Sequence, residues 1–326
     1  MKSSIAPVRW TPPPAPPARN PTGIEVDVVA LPGAGPEDTL IDTDGSVLTG
    51  LYDGRILRVS ADGRTITTLA DTGGRPLGLE WLPDGKVLIC DANRGLLTLD
   101  KDNRVATLLA EIDGRPMRFC NNADVTEDGT IYFTDSSTRF GIDEWMADLL
   151  EHSTTGSVYR RTPDGEVTRL ASGRGFPNGV ALSSDRRTLF WAETAMYALY
   201  KLDLTVEGAE PVQLVEIPGL PDNIARGSDG LIWVTVGSPR NAVLDLLLPK
   251  HPVLRKIVWA LPDALKPKAA DIIEIQAYDE TGELVQDLRA KHPDFHMPTG
   301  VRERDGKVWL GSIGTSSLAT FPTPPR

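Results

Sequence analysis

Arg118–Phe140 reads RFCNNADVTEDGTIYFTDSSTRF, and the rest of the chain follows from it. A polar pair, Asn121 and Asn122, stands before a turn at Glu127-Asp128-Gly129 and a strand of alternating character from Thr130 to Asp135. Val125, Ile131 and Phe133 supply the apolar side of a hairpin, and Asp-Gly suits its turn because glycine takes positive φ without steric penalty. The pattern recurs as DTDGSVLTG (Asp42–Gly50), LPDGKVLICD (Leu82–Asp91), SSDRRTLFWAE (Ser183–Glu193), GSDGLIWVTV (Gly227–Val236) and ERDGKVWLGS (Glu303–Ser312). Copies spaced at roughly 40 to 75 residues are what four-stranded propeller blades with insertions produce. The expected fold is all-β: a six-bladed β-propeller.

Placing the copies in register exposes a candidate site. Counting eight positions back from each turn glycine, or from Arg186 in the fourth copy, reaches Glu37, Leu77, Asn121, Asn178, Asp222 and Pro298. Equivalent positions on innermost strands form a ring around the propeller axis, and the neighbouring ring adds Asp38, Asn122 and Asn223. Carboxylates and amides gathered on a dry axis are expensive to desolvate unless something pairs with them. A hard divalent cation does so. Calcium takes six to eight oxygens from carboxylates, amide carbonyls and water, a looser demand than the strict octahedron of magnesium. Glu37, Asn121, Asn178 and Asp222 are therefore the expected Ca²⁺ ligands.

The net charge of −11 and pI near 4.9 disfavour nucleic acid and anionic membrane surfaces as partners and leave a small molecule. The oligomeric state is not readable. Cys90 and Cys120 show no metal-ligand spacing and read as buried reduced thiols. The first residues contain no apolar run long enough for a signal peptide, and no 18-residue apolar stretch occurs, so a cytoplasmic protein is expected. There is no P-loop and no dinucleotide-binding fingerprint.

In chain order, residues 1–22 are Pro-rich and expected to lie extended as an arm. A single propeller then fills 23–326. Its last blade is one outer strand short, and Ile24–Leu31 is expected to fill that place and close the ring, removing an exposed edge. Blades three and five carry insertions, 139–155 and 237–270, with helical spacing in DEWMADLLEH and in the pair AVLDLLLP and HPVLRKIVWALPDAL. Both follow the second strand of their blade, so they should emerge on one face as a helical cap over the metal. His251 in that cap, His296 and Thr299 near the last ring position, and Trp145 in the first insertion are candidate substrate contacts. Trp259 reads mainly as core of its own helix.

GPED (Gly35–Asp38), RFCNNADV, IYFTDSSTRF, FPNGVALS (Phe176–Ser183), LPDNI (Leu220–Ile224) and DGKVWLGS (Asp305–Ser312) resemble strictosidine synthase-like proteins, which stand with gluconolactonases and paraoxonases among the calcium-dependent six-bladed propellers. The resemblance covers nearly the whole chain after Gly23. It implies a calcium carried by Glu37, Asn121, Asn178 and Asp222, with Asn223 near or coordinating. It breaks at two positions. Thr299 stands where strictosidine synthases carry a glutamate base, and Leu77 precedes Gly78 where paraoxonases carry histidine. A calcium-dependent lactonase or esterase is the reading that survives, with Asp222 as base, nucleophile or ligand alone. The alternatives are a lyase or bond-forming enzyme on the same scaffold, or a non-enzymatic binding propeller.

Overall fold

The computed structural model describes residues 2–17, 19–262 and 270–325. Six sheets surround one axis. Blade one runs Leu40–Ile41, Val47–Gly50, Arg55–Val59 and Ile66–Asp71, and blade two Pro76–Trp81, Val87–Asp91, Gly95–Leu99 and Val105–Leu109. Blade three is Cys120–Val125, Ile131–Asp135, Gly156–Arg161 and Val167–Arg174; blade four is Pro177–Leu182, Thr188–Glu193, Ala198–Asp203 and Val212–Glu216. Blade five holds Gly219–Arg226, Ile232–Pro239, Ile273–Tyr278 and Leu284–Ala290. Within these blades successive strands are antiparallel, as hairpin connections require.

Blade six has three strands of its own, Pro298–Arg304, Lys307–Ser312 and Ser317–Pro322, and takes its fourth from Asp27–Ala30. Asp27 stands opposite Thr320 and Ala30 opposite Ser317. The closing strand is shorter than the expected 24–31. Thr22–Gly23 first pairs in parallel with Leu288 and Arg289 on the outer strand of blade five before the chain crosses to blade six. Val28 packs into the cluster between blades five and six, and Val29 into the one between six and one. A strand with two apolar faces thus closes both seams.

Cys90 and Cys120 are free, fully buried thiols in the cluster between blades two and three. The turn glycines Gly45, Gly85, Gly129, Gly230 and Gly306 all have φ between 80° and 87°, and Arg186 takes φ 60° in the same place. Copies one, two, three and five share one turn length, and copy four, between the paired Leu182 and Leu189, is one residue longer beyond Arg186, which leaves the count back to the ring unchanged. The sixth is tighter: Asp305 (φ 51°) and Gly306 (φ 81°) form a two-residue hairpin between the paired Arg304 and Lys307. One residue fewer means that counting eight back lands on Pro298, whereas the structural equivalent of the other ring positions is Thr299.

The insertions build three short helices: α1 (Trp145–Glu151), α2 (Ala242–Lys250) and α3 (Pro252–Ala260). α1 ends on His152 in the left-handed conformation. Asn241 caps α2 through Oδ1, which accepts from the amides of Val243 and Leu244. Pro252 opens α3, at a position where a missing N–H costs nothing. The end of the expected second helix, 263–265, lies outside the described residues. No described helix is long and apolar enough to cross a membrane.

Candidate metal centre and active site

The ring positions converge. Glu37, Leu77, Asn121, Asn178, Asp222 and Thr299 all line one cavity of about 580 Å³ at the capped end of the axis. What the polar atoms bond to is more informative than their proximity. Asn121 Nδ2 donates to Ser136 Oγ (2.9 Å), whose hydroxyl donates on to the Pro177 carbonyl (2.7 Å). One blade further round, Asn178 Nδ2 donates to Thr194 Oγ1 (3.2 Å), which donates to the Pro221 carbonyl (2.8 Å). Asn223 Nδ2 donates to Glu37 Oε1 (2.9 Å). Every amide nitrogen is held by protein, and each amide is thereby turned so that its oxygen is spare.

Four buried oxygens are left with no hydrogen-bond partner: Glu37 Oε2, Asn121 Oδ1, Asn178 Oδ1 and Asn223 Oδ1. Unpaired buried acceptors each cost about 1–3 kcal/mol, so four in one place demand a counterpart. A calcium ion fits this donor set, with the Asp222 carboxylate adding the second formal charge. Among the described residues no three His, Cys, Asp or Glu side chains form a cluster suited to a metal, which agrees with a set dominated by amide oxygens.

The second ring divides by chemistry. Asp38 accepts from the amides of Thr39 (2.8 Å) and Leu79 (3.0 Å), and Asn122 Oδ1 from the amide of Val180 (3.3 Å), so neither has an orphaned oxygen. Asn223 alone in this ring does. Between these three stand Gly78, Gly179 and Gly300, and a Cβ on Gly179 would lie 2.1 Å from Ile224 N and 2.5 Å from Asn223 Cα. Glycine on alternate blades lets the polar blades press into the axis. Three residues beyond Thr299 on the same strand, Arg302 reaches across to blades one and two. It pairs with Glu80 at 2.9 Å and Asp38 at 3.6 Å and donates to the carbonyls of Thr39 and Leu79.

Electrostatics agree with a missing positive charge. Burial, then Asp222 and Asp38, push the Glu37 carboxyl well above the usual carboxylate range, against the buried guanidinium of Arg75. Burial pushes Asp222 up to about 7, against a hydrogen bond from Asn178 and with Asp38 adding to the rise. A divalent cation among these groups reverses that logic.

Apolar walls rise from this polar floor. Phe119, Phe176 and Leu220 stand two residues before Asn121, Asn178 and Asp222 and line the cavity. Phe119 and Phe176 meet edge to face at 5.1 Å. Sequence reasoning missed this wall, although its signal lies in the same register two positions upstream. α1 contributes Trp145 and Leu149 and α2 contributes Leu244 and Leu247 to the roof.

His296 lines the cavity, with Nε2 4.0 Å from Asp271 Oδ1 and its carbonyl held by Ser312 Oγ (2.6 Å). Thr299 donates its hydroxyl to the Glu37 carbonyl (2.7 Å) and so steadies the Glu37 backbone. His251 is exposed at the junction of α2 and α3 and is not one of the lining residues, which corrects the expectation that it faces substrate. The α2–α3 junction turns it outward while Leu244 and Leu247 turn in. Trp259 is buried within the cap, where its Nε1 donates to the Ser3 carbonyl (2.7 Å).

Residues 34–249 match the family described as SMP-30/Gluconolactonase/LRE-like region, more than half of the chain. The chain belongs to that family. Strictosidine synthase-like 10 of Arabidopsis thaliana is 33% identical over 331 residues, covering 90% of this chain and 87% of that protein. Among solved structures, a gluconolactonase from Xanthomonas campestris superposes with a TM-score of 0.68 at 19% identity, covering 92% of this chain and 89% of that one. Regucalcin from Agrobacterium tumefaciens, described as a calcium-binding protein, gives a TM-score of 0.64 at 15% identity over 93% of this chain and 95% of that one. At those identities the two structures speak to the six-bladed fold, and the family match carries the lactonase-type relationship.

Proposed function

We propose that this chain is a calcium-dependent hydrolase of lactones or esters. The observation that carries the reading is the set of four partnerless buried oxygens beneath an apolar cavity of about 580 Å³. Glu37, Asn121, Asn178 and Asn223 would hold the ion with Asp222. Bound there, Ca²⁺ supplies Lewis acidity toward a carbonyl oxygen and charge for a developing oxyanion.

The chain's own residues do the rest. Phe119, Phe176, Leu220 and the helical roof take the apolar part of the substrate and exclude water around it. Asp222, half-buried at the polar floor, is placed to accept a proton from an attacking water, and the charge of the bound ion would keep its carboxyl ionised at neutral pH. His296 stands in the same cavity as a second proton acceptor, oriented by its backbone anchor to Ser312.

A panel of γ- and δ-lactones and aryl esters, assayed with EDTA and after Ca²⁺ is returned, tests the reading. Hydrolysis abolished by chelator and restored by calcium is the expected result; no hydrolysis of any substrate would overturn it. Asp222→Asn should lower kcat by about 100-fold or more even at saturating calcium, whereas loss of a ligand alone would be recovered by added calcium.

A further inference from the structure

The Pro-rich arm meets blade five at its end, where Thr22 pairs with Leu288. Residues 2–10 cross the cap. At one end Ser3 donates through N and Oγ to the Glu144 carboxylate at the head of α1 (2.6 and 2.7 Å), and its carbonyl accepts from Trp259 in α3. In the middle Ala6 N donates to Glu151 Oε2 (2.6 Å) and Val8 N to the Glu151 carbonyl (2.8 Å) at the tail of α1. Buried Arg255 of α3 then spans both elements, donating to the Val8 carbonyl (2.7 Å) and to the Leu150 carbonyl (2.9 Å). Ile5 is buried among Phe140, Ala147, Leu150 and Trp259. At the far end Trp10 donates to the Leu248 carbonyl of α2 (3.3 Å), stacks on His152 at 4.4 Å and lies 5.9 Å from Tyr197, which lines the cavity.

These contacts join helices that enter from two different blades. With seven and nine residues, α1 and α3 are too short to be stable by propensity alone, so tertiary contacts must hold them. The arm adds such contacts to those the helices make with one another, and the prolines at 12–14 and 16–17 lower the entropy lost in keeping it extended.

We propose that residues 2–10 are a strap that holds the helical cap shut over the cavity and thereby limits the size of the substrate that enters. The proposal rests on the hydrolase reading only for its kinetic readout. The test uses the full chain carrying Ile5→Asp and Trp10→Ala, which release the strap and touch no residue of the polar floor. Hydrogen exchange should become about tenfold faster in 145–151 and 252–260 and stay unchanged in 120–125. The kcat/KM ratio of long-acyl to acetyl aryl esters should rise about threefold or more, carried by KM, with calcium affinity unaltered. Unchanged exchange in both helices once the arm itself exchanges freely would overturn the strap, and loosened helices with an unchanged acyl ratio would overturn its control of entry. If neither protein hydrolyses any ester or lactone, the hydrolase reading fails by itself, and the exchange pattern decides the strap.

Discussion

At the scale of single residues the account depends on which oxygens are left spare. Ser136 and Thr194 each take the amide hydrogen of an asparagine and pass their own to the next blade, so Asn121 and Asn178 present oxygen to the axis. Glu37→Gln keeps the shape of that site and removes one of two charges; calorimetric titration should show calcium affinity lower by on the order of 100-fold. Proton linkage gives a second test. Burial raises the Asp222 carboxyl to about 7, while in the unfolded chain it sits near 4. An acid raised in this way favours the folded state when protonated. Stripped protein should therefore lose stability as pH climbs from about 4 to about 7. Calcium needs the ionised form, so its apparent affinity should increase over the same window and level off above it, with protons released on binding below neutrality. Chemical melts of the stripped protein and titrations in two buffers of different ionisation enthalpy measure both effects.

At the scale of strands and turns, most of the site was legible because register is periodic. Five of six blades keep the same distance from the positive-φ turn residue back to the ring, and counting from it found Glu37, Leu77, Asn121, Asn178 and Asp222 directly. The sixth count slipped to Pro298 because Asp305 and Gly306 close a tighter hairpin, a difference of one residue that the shared letters DG do not reveal. The apolar wall of Phe119, Phe176 and Leu220 was readable in principle, two positions upstream. His251 was misplaced because helical spacing says which residues share a face, not which face turns inward. The glycines of the inner strands carry a further constraint. Gly179→Ala drives a methyl into the backbone of blade five, and a loss of about 3 kcal/mol in urea unfolding is expected, together with weakened calcium binding as Asn223 is displaced.

For the whole molecule, closure was foreseen from a missing strand, and the structure shows what closure secures. Asp27–Ala30 pairs with the last strand and drives Val28 and Val29 into the two seams beside it. Val29→Asp puts an unpaired charge into one seam and should cost about 2 kcal/mol or more, seen as a lower melting temperature with the unfolding still cooperative. The strap could not be read from sequence, because a Pro-rich stretch says only that the chain is extended and not what it lies against. The proposed ion would tie these scales together, since the residues that would hold it come from four different blades. A calcium-soaked crystal of the full chain is the most direct measurement. One anomalous peak about 2.3–2.6 Å from oxygens of Glu37, Asn121, Asn178, Asp222 and Asn223 is the predicted result; water alone among those five side chains, at saturating calcium, would contradict it.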